Sequence, residues 1–296
     1  MEFGLLPQQF TLGVILGLIY CLMALGISFI FSVMKMINWA MGGFYMIGGY
    51  ATYLTITLLV GPNLWYIAIL ISMAVVFIVG IVFQTILLKP MYSEIGERKA
   101  EYATIVTIAA AILMKNLIAV AVGPRFMTPP PYYPSQTVLG VPVDGTKIMA
   151  LISTLFILIV FYIILKKTWT GRALLASAQN RLAAQVAGID VEQMDKLAFG
   201  VGVAFAGAAG GLLAPVFPLY AGVGDISTLK GFVIIVIGGV GSLAGSVIGA
   251  LMLGIVETLG GVLISSSFRD VYGFVAMVLI LLLRPTGLLG EKTREV

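Results

Sequence analysis

The sequence predicts an all-α fold: a polytopic transmembrane helical bundle of about eight or nine spans in a single domain, residues 1–296. Of the 296 residues, 60% are hydrophobic and only 10% are charged, whereas about a quarter of the residues of a soluble domain are charged. Apolar runs of about 20 residues, the length that crosses a bilayer, recur along the whole chain. These two observations indicate a multi-pass membrane protein.

The predicted spans follow one another with short polar connections. No basic residue precedes the first apolar run, so we expect a retained span there rather than a signal peptide. Boundaries read from a sequence are accurate to a few residues. With that margin, the predicted spans are 10–31, 40–60, 64–88, 101–123, 148–165, 197–219, 229–240, 243–264 and 270–284.

The polar segment Lys166–Lys196 fixes the predicted orientation. It is too polar to lie in hydrocarbon, and it carries five of the 17 basic residues. Basic residues favour the cytoplasmic side, and alternation then places 12 basic residues inside and 4 outside. We therefore expect the N-terminus outside and the C-terminus in the cytoplasm. Because the basic residues cluster in these loops, they indicate topology rather than nucleic-acid binding.

Two of the predicted spans are short. Residues 229–240 fall well below the length of a full crossing and run into the glycine-rich sequence GGVGSLAG. A broken or re-entrant helix fits this pattern, because irregular backbone is tolerated where protein covers it. Residues 270–284 are also short. The sequence leaves open nine spans, or eight full spans and a half-helix.

The predicted outside loop, residues 124–147, contains three consecutive prolines and two tyrosines. Prolines make such a segment stiff and extended. It is either a docking surface for an external partner or a solvated connector with interfacial tyrosines.

Charged residues inside predicted spans are costly and usually functional. Lys115 and Glu257 are the candidates, each 14 residues from the cytoplasmic start of its span. Equal depth would allow an ion pair between them. The alternative is that the Lys115 side chain reaches towards the outer surface. Asn116 adds a neighbouring polar group.

Catalytic and metal-binding motifs are absent from the sequence. It has no histidine, which excludes His-based metal sites and general bases. The sequence GVGD, residues 222–225, resembles the motif of intramembrane aspartyl proteases, but we expect no second membrane-embedded aspartate to complete the pair. No ATP-binding P-loop occurs. We therefore expect a non-enzymatic protein with no cofactor of its own, whose energy source is a separate chain.

Four runs resemble the permease subunit of branched-chain amino acid ABC importers, of the smaller LivH-like type. Residues 36–50, MINWAMGGFYMIGGY, are similar to the family's NFAHGE-ymlGAY run, and residues 238–257 to its GGlGsi-G-llG-llG-vE run. The sequence RPTGLLG at 284–290 is similar to the family's RPqGLlG. Ala183, Ala184 and Gly188 have the spacing of the EAA loop of ABC permeases. The resemblance covers nearly the whole chain.

The sequence departs from the family pattern at four positions, one of which is the later Ile of the EAA loop, which is not matched. Leu182 stands where the EAA loop has glutamate, and Met41 and Gly43 stand where the family often has His and Glu. The last two departures put in doubt a polar substrate role for that run. They also leave open a substrate other than leucine, isoleucine or valine.

The resemblance implies a permease that works with two ABC ATPase subunits, which bind the ATP, and with an external substrate-binding protein. It also implies a second, related permease beside this one in the lipid bilayer of a bacterial or archaeal cytoplasmic membrane. Residues 171–188 would form one cytoplasmic coupling helix that docks on an ATPase, with Arg172 and Arg181 on its polar surface. The alternative is that these residues form a solvated loop helix with no docking role. Gly188 would provide the terminal turn.

The expected cargo is a branched-chain or other neutral amino acid, or a related small carboxylate or amide. Such a zwitterion needs polar partners along its pathway, and the main candidates are Asn38, Tyr45 and Asn116. The alternative is that these residues form hydrogen bonds between helices. Of these, Asn38 is favoured because it lies in the most family-like run. An ion-coupled secondary transporter that uses Glu257 is the alternative.

Overall fold

A computed structural model describes residues 6–92, 99–138 and 141–290. Eleven helices and one two-stranded antiparallel sheet make up this part of the chain. Three basic residues that entered the predicted orientation, Arg98, Lys292 and Arg294, lie outside it. The elements are α1 Leu6–Met34, α2 Met41–Thr55, α3 Trp65–Phe83, α4 Lys99–Val122, β1 Gln136–Val138, β2 Val141–Val143, α5 Gly145–Lys167, α6 Trp169–Gln179, α7 Arg181–Val186, α8 Val191–Leu213, α9 Val223–Gly238, α10 Leu243–Leu263 and α11 Arg269–Leu283.

The centre of the bundle is formed by α1 and α8, which are buried along most of their length. Small residues allow the helices around them to approach closely. A Cβ on Gly48 of α2 would lie 2.3 Å from the backbone of Gly207 of α8, and one on Gly17 of α1 would lie 2.7 Å from the carbonyl oxygen of Ala250 of α10. By contrast, α4 and α5 are mostly exposed and lie at the periphery.

The predicted fold class is confirmed. In the described part of the chain, eight helices are long and apolar enough to cross a membrane, which agrees with eight full spans and one shorter helix. The shorter helix is α9, of 16 residues, which begins at Val223 rather than at the predicted residue 229. It runs antiparallel to α10, with Gly238 against Gly245. Its two ends therefore lie at opposite ends of the bundle, so α9 is a short crossing helix rather than a re-entrant one.

Irregular backbone enters the bundle between α1 and α2. The α1 helix ends at Met34, and the chain reverses at Lys35, which has a φ of +55°. It then runs without helical structure to Ala40, and Asn38 and Ala40 are buried. The backbone N–H of Trp39 donates to Thr107 Oγ1 of α4 at 3.3 Å, and the Trp39 ring contacts that of Phe232 in α9 at 4.6 Å. The predicted inside loop at 32–39 is therefore partly inside the helix bundle.

The segment between α4 and α5 is folded against the bundle. Met127 and Leu219 exchange two backbone hydrogen bonds of 3.0 and 2.8 Å. The hydroxyl of Tyr132 donates to the carbonyl of Gly211, and its ring stacks on Trp65 with centroids 5.2 Å apart. Burial raises the pKa of Tyr132 well above its ordinary value, so this phenol stays a donor. The segment is thus packed rather than a free connector, and its docking role stays a prediction.

This segment ends in the β1–β2 hairpin, and we call its side of the bundle the hairpin end. The opposite side, where α6 and α7 lie, is the α7 end.

Candidate functional site

The polar segment at the α7 end forms two helices instead of the predicted single helix over 171–188. Asn180 separates α6 from α7 because its backbone is extended, with a φ of −152°. Its side-chain oxygen accepts a hydrogen bond from the N–H of Ala183 at 3.0 Å and so starts α7 as an N-cap. Gly188 has a φ of +83° just beyond α7, which confirms the predicted turn.

Arg181 points into the bundle, so its predicted place on the docking surface is wrong. Its guanidinium donates to both carboxylate oxygens of Asp195, at 2.9 and 2.6 Å, and also lies 3.3 Å from the carbonyl of Val33. Asp195, which the sequence placed in a loop or at a span edge, is fully buried in α8. A bidentate pair of this kind is strong and directional. It fastens α7 to α8.

The outer surface of α7 is apolar. Leu182 and Val186 are 74% and 84% exposed, and they lie one helical turn apart on the same face. Ala183 and Gly188 are exposed as well, whereas Ala184 packs inward, and Arg172 on α6 is exposed. Of the five residues predicted for docking, three are accessible. Leu182, which departs from the EAA pattern, and Val186 are large apolar residues exposed beside them.

A cavity of about 240 Å³ lies at the hairpin end. Its wall combines apolar, aromatic and charged groups from α1, α2, α8, α9, α11 and the segment before α9. A small volume with a few charged groups among apolar walls is typical of a small-molecule site. The lining includes Tyr20, Met23, Tyr45, Leu213, Phe217, Tyr220, Ile226, Ile234, Lys230, Arg269 and Asp270.

The charged groups at this cavity form one network around Lys230. Its ammonium lies 2.6 and 2.7 Å from the two carboxylate oxygens of Glu257 and 2.8 Å from Asp270. Arg269 approaches Glu257 at 3.8 Å. Glu257 is 1% exposed and Lys230 is 18% exposed, whereas Asp270 is 58% exposed at the surface. Two cations and two carboxylates thus balance at a place where single charges would be costly.

Comparison with known sequences and structures identifies the family. Residues 10–283 match the family described as "Branched-chain amino acid transport system / permease component". The chain belongs to this family. It is therefore a multi-pass membrane permease of the ABC importer type, as the sequence motifs indicated.

The permease is similar to three curated relatives over most of its length. It is 29% identical to the high-affinity branched-chain amino acid transport system permease protein LivH of Escherichia coli K12, over 97% of this chain and 96% of LivH. It is 28% identical to BraD of Pseudomonas aeruginosa, over 97% of both chains. It is 25% identical to LivM of Escherichia coli K12, over 93% of this chain and 68% of LivM.

One solved structure shares the fold of the permease. PsaBC from Streptococcus pneumoniae in complex with Fab aligns with a TM-score of 0.50 and 11% identity, over 96% of this chain and 93% of the PsaBC chain. At this identity the likeness concerns the fold alone.

The permease does not bring the three predicted pathway residues together. Tyr45 lines the cavity. Asn38 is buried in the reversal before α2, where its Oδ1 accepts from the N–H of Ala40 at 3.0 Å and its amide group lies 3.3 Å from Met41 Sδ. Asn116 is exposed on α4 and donates to the carbonyl of Ile112. Asn38 therefore makes contacts within the reversal and does not line the cavity, and its pathway role stays a prediction.

The ion pair considered between Lys115 and Glu257 is not formed. Lys115 pairs with Asp225 in the first turn of α9, and Glu257 pairs with Lys230. Sequence reasoning had counted Lys230 at an outside edge, because it started this helix six residues too late. A start at Val223 makes Lys230 the eighth residue of the helix. A correct helix start would therefore have identified Lys230 as a charge inside a span.

Proposed function

We propose that this permease carries branched-chain or similar neutral amino acids into the cell, driven by ATP that two partner ATPases bind. Family membership supports transport, and the similarity to the branched-chain amino acid permeases LivH and BraD supports this cargo. The chain itself would need neither a catalytic residue nor a cofactor.

The surface of α7 is the observation that carries the proposal. Leu182 and Val186 form an exposed apolar patch on a short helix within a polar, basic segment. Exposed apolar patches of this kind mark interaction sites. An ATPase groove that receives this helix would bury the patch. The Arg181–Asp195 pair would pass a movement of the ATPase to α8.

The same proposal gives the permease its orientation and its other partners. The α7 end would face the cytoplasm, because the basic segment favours that side, and the hairpin end would face an external binding protein. The similarity to LivM supports a second, related permease. Its place would be against α4, which has few buried residues and exposes Asn116 and part of Lys115 at span depth. Polar groups in such a position gain from a protein neighbour.

Co-purification tests the proposal. The permease would be expressed from its native operon, purified in mild detergent, and compared with L182R. We expect ATPases to accompany the wild-type protein and to be lost from L182R, because a charge would enter an apolar contact. Q179R is the matched control: Gln179 is exposed on α6, so the same new charge outside the patch should leave the ATPases bound.

Three results would contradict parts of the proposal. Retention of ATPases by L182R would move the docking site away from α7. Absence of ATPases from the wild-type sample, under conditions that preserve other ABC complexes, would remove ATP as the energy source. Amino acid uptake by the purified chain alone, driven by a proton or sodium gradient, would favour the secondary transporter with Glu257.

A further inference from the structure

We infer that the cavity at the hairpin end is a binding site for an apolar α-amino acid in its zwitterionic form. In this site Arg269 takes the α-carboxylate beside the positive charge of Lys230, and Asp270 takes the α-ammonium group. The inference rests on the proposed function and deepens it, because it gives the permease a recognition site of its own.

The charges at the cavity have the arrangement that a zwitterion requires. Lys230, Arg269 and Asp270 line it, whereas Glu257 does not. Glu257 stands behind Lys230, is almost fully buried and holds both of its oxygens within 2.7 Å of the ammonium. It is therefore a positioning residue for Lys230. The groups that face the cavity are two cations and one carboxylate, so a ligand with one negative and one positive group finds a partner for each.

Arg269 has donor capacity left for a ligand. Its Nη2 donates to Thr258 Oγ1 at 3.3 Å, and its Nε lies 3.8 Å from Glu257, beyond hydrogen-bond distance. This Nε is buried and has no hydrogen-bond partner within the described residues. A buried donor without a partner is costly, and a carboxylate in the cavity would satisfy it.

The remaining wall suits an aliphatic side chain. Met23, Leu213, Ile226 and Ile234 contribute apolar surface beside the charged groups. The volume of about 240 Å³ lies below the usual range for drug-sized ligands, so a small molecule is favoured. Together the two halves of the cavity select a zwitterion that carries an apolar side chain.

A second ion pair in the same chain shows how a purely structural pair differs. Arg181 and Asp195 satisfy each other through two direct hydrogen bonds, and neither lines the cavity. At the cavity, one buried carboxylate is shared by two cations and an extra carboxylate stands at the surface. Arg269 therefore has no direct hydrogen bond to a carboxylate among the described residues, and Asp270 stays accessible, so a ligand can engage both groups.

The test measures binding of radiolabelled L-leucine to the purified permease with whatever subunits accompany it, without the binding protein. We expect saturable binding that unlabelled L-isoleucine displaces. The analogue 4-methylpentanoate lacks the ammonium group and 3-methylbutylamine lacks the carboxylate, so each should displace leucine at least about tenfold less well. D270N should weaken binding by about tenfold or more.

D225N is the matched control for D270N. Asp225 and Asp270 both lie in the first turn of a helix, both pair with a lysine, and they are 57% and 58% exposed. Asp225 does not line the cavity, so D225N should bind leucine as the wild type does. Size-exclusion profiles of both variants check that folding is retained.

The inference is overturned if the wild-type protein shows no displaceable leucine binding, if D270N and D225N bind alike, or if the two analogues compete as well as isoleucine. None of these results depends on the ATPases. Co-purified ATPases without leucine binding would leave the proposed function standing and remove this site, and leucine binding without ATPases would do the reverse.

Discussion

Two lysine–aspartate pairs in this permease look alike locally and differ in their surroundings. Lys115 with Asp225 and Lys230 with Asp270 each join a helix interior to the first turn of another helix. The Lys115 side chain is 43% exposed and has one acidic partner, whereas Lys230 is 18% exposed and has a second, fully buried partner in Glu257. The two lysine–aspartate pairs are similar, and the sites differ because Glu257 is a third charged group at Lys230.

This comparison indicates which ion pairs contribute most to the stability of the bundle. An ion pair that remains accessible contributes little, because solvent screens it and side-chain entropy opposes it. A buried pair that loses one partner leaves an uncompensated charge in a medium of low polarity, and that is expensive. The cost of removing each carboxylate should therefore follow the burial of both members of its pair.

The largest effect is expected for E257Q. The change leaves Lys230 and Arg269 with Asp270 as their remaining carboxylate in the network, and we expect a loss of about 3–5 kcal/mol in the free energy of unfolding. Thermal unfolding of the purified protein in detergent should show a clearly lower midpoint. A midpoint equal to that of the wild type would mean that the network around Lys230 has no structural weight.

An intermediate effect is expected for D195N. Asp195 is fully buried, but its partner Arg181 is 34% exposed and can turn towards solvent when the carboxylate is lost. Loss of these charge-assisted hydrogen bonds should cost about 1.5–3 kcal/mol by the same unfolding measurement. A loss as large as that of E257Q would show that exposure of the cation does not relieve the cost.

The smallest effect is expected for D225N. Both partners of this pair are accessible, so its removal should change the free energy of unfolding by less than about 1 kcal/mol. The midpoint should stay close to that of the wild type in low and in high salt. A large shift would mean that solvent does not screen this pair, and the contrast between the Lys115–Asp225 pair and the Lys230 network would then be wrong.

The overall fold could be predicted from the sequence because hydrophobic length is a strong signal. Eight spans, the glycine-mediated packing and the turn at Gly188 were within reach. The reversal at Lys35 was not, because the loop that follows it is buried by contacts with α4 and α9, which lie far along the chain. The break at Asn180 also escaped, because its alanine-rich neighbours favour a continuous helix.

The candidate sites were predicted less well than the fold. The predicted depth of Glu257 within its span identified it as an intramembrane charge. The partner considered for it was Lys115 instead of Lys230, because the depth of Lys230 depends on where α9 begins. Tyr45, selected as a polar residue, lines the cavity, and its pathway role stays a prediction. Asn38, favoured because it lies in the most family-like run, and Asn116 do not line the cavity. Arg181 was assigned to the surface because nothing local indicated a buried aspartate 14 residues away.

The helix α8 runs without a break from its contact with α7 to the cavity. Asp195 near its first turn is fastened to α7, and Leu213 at its last position lines the cavity. These residues are 18 positions apart, which is about 27 Å along a helix. Five glycines lower the intrinsic helix stability of α8. Its rigidity therefore comes from the helices that pack against it. If an ATPase moves α7 as proposed, the movement would reach the cavity only while the packed helices α1, α2 and α3 hold α8 in place.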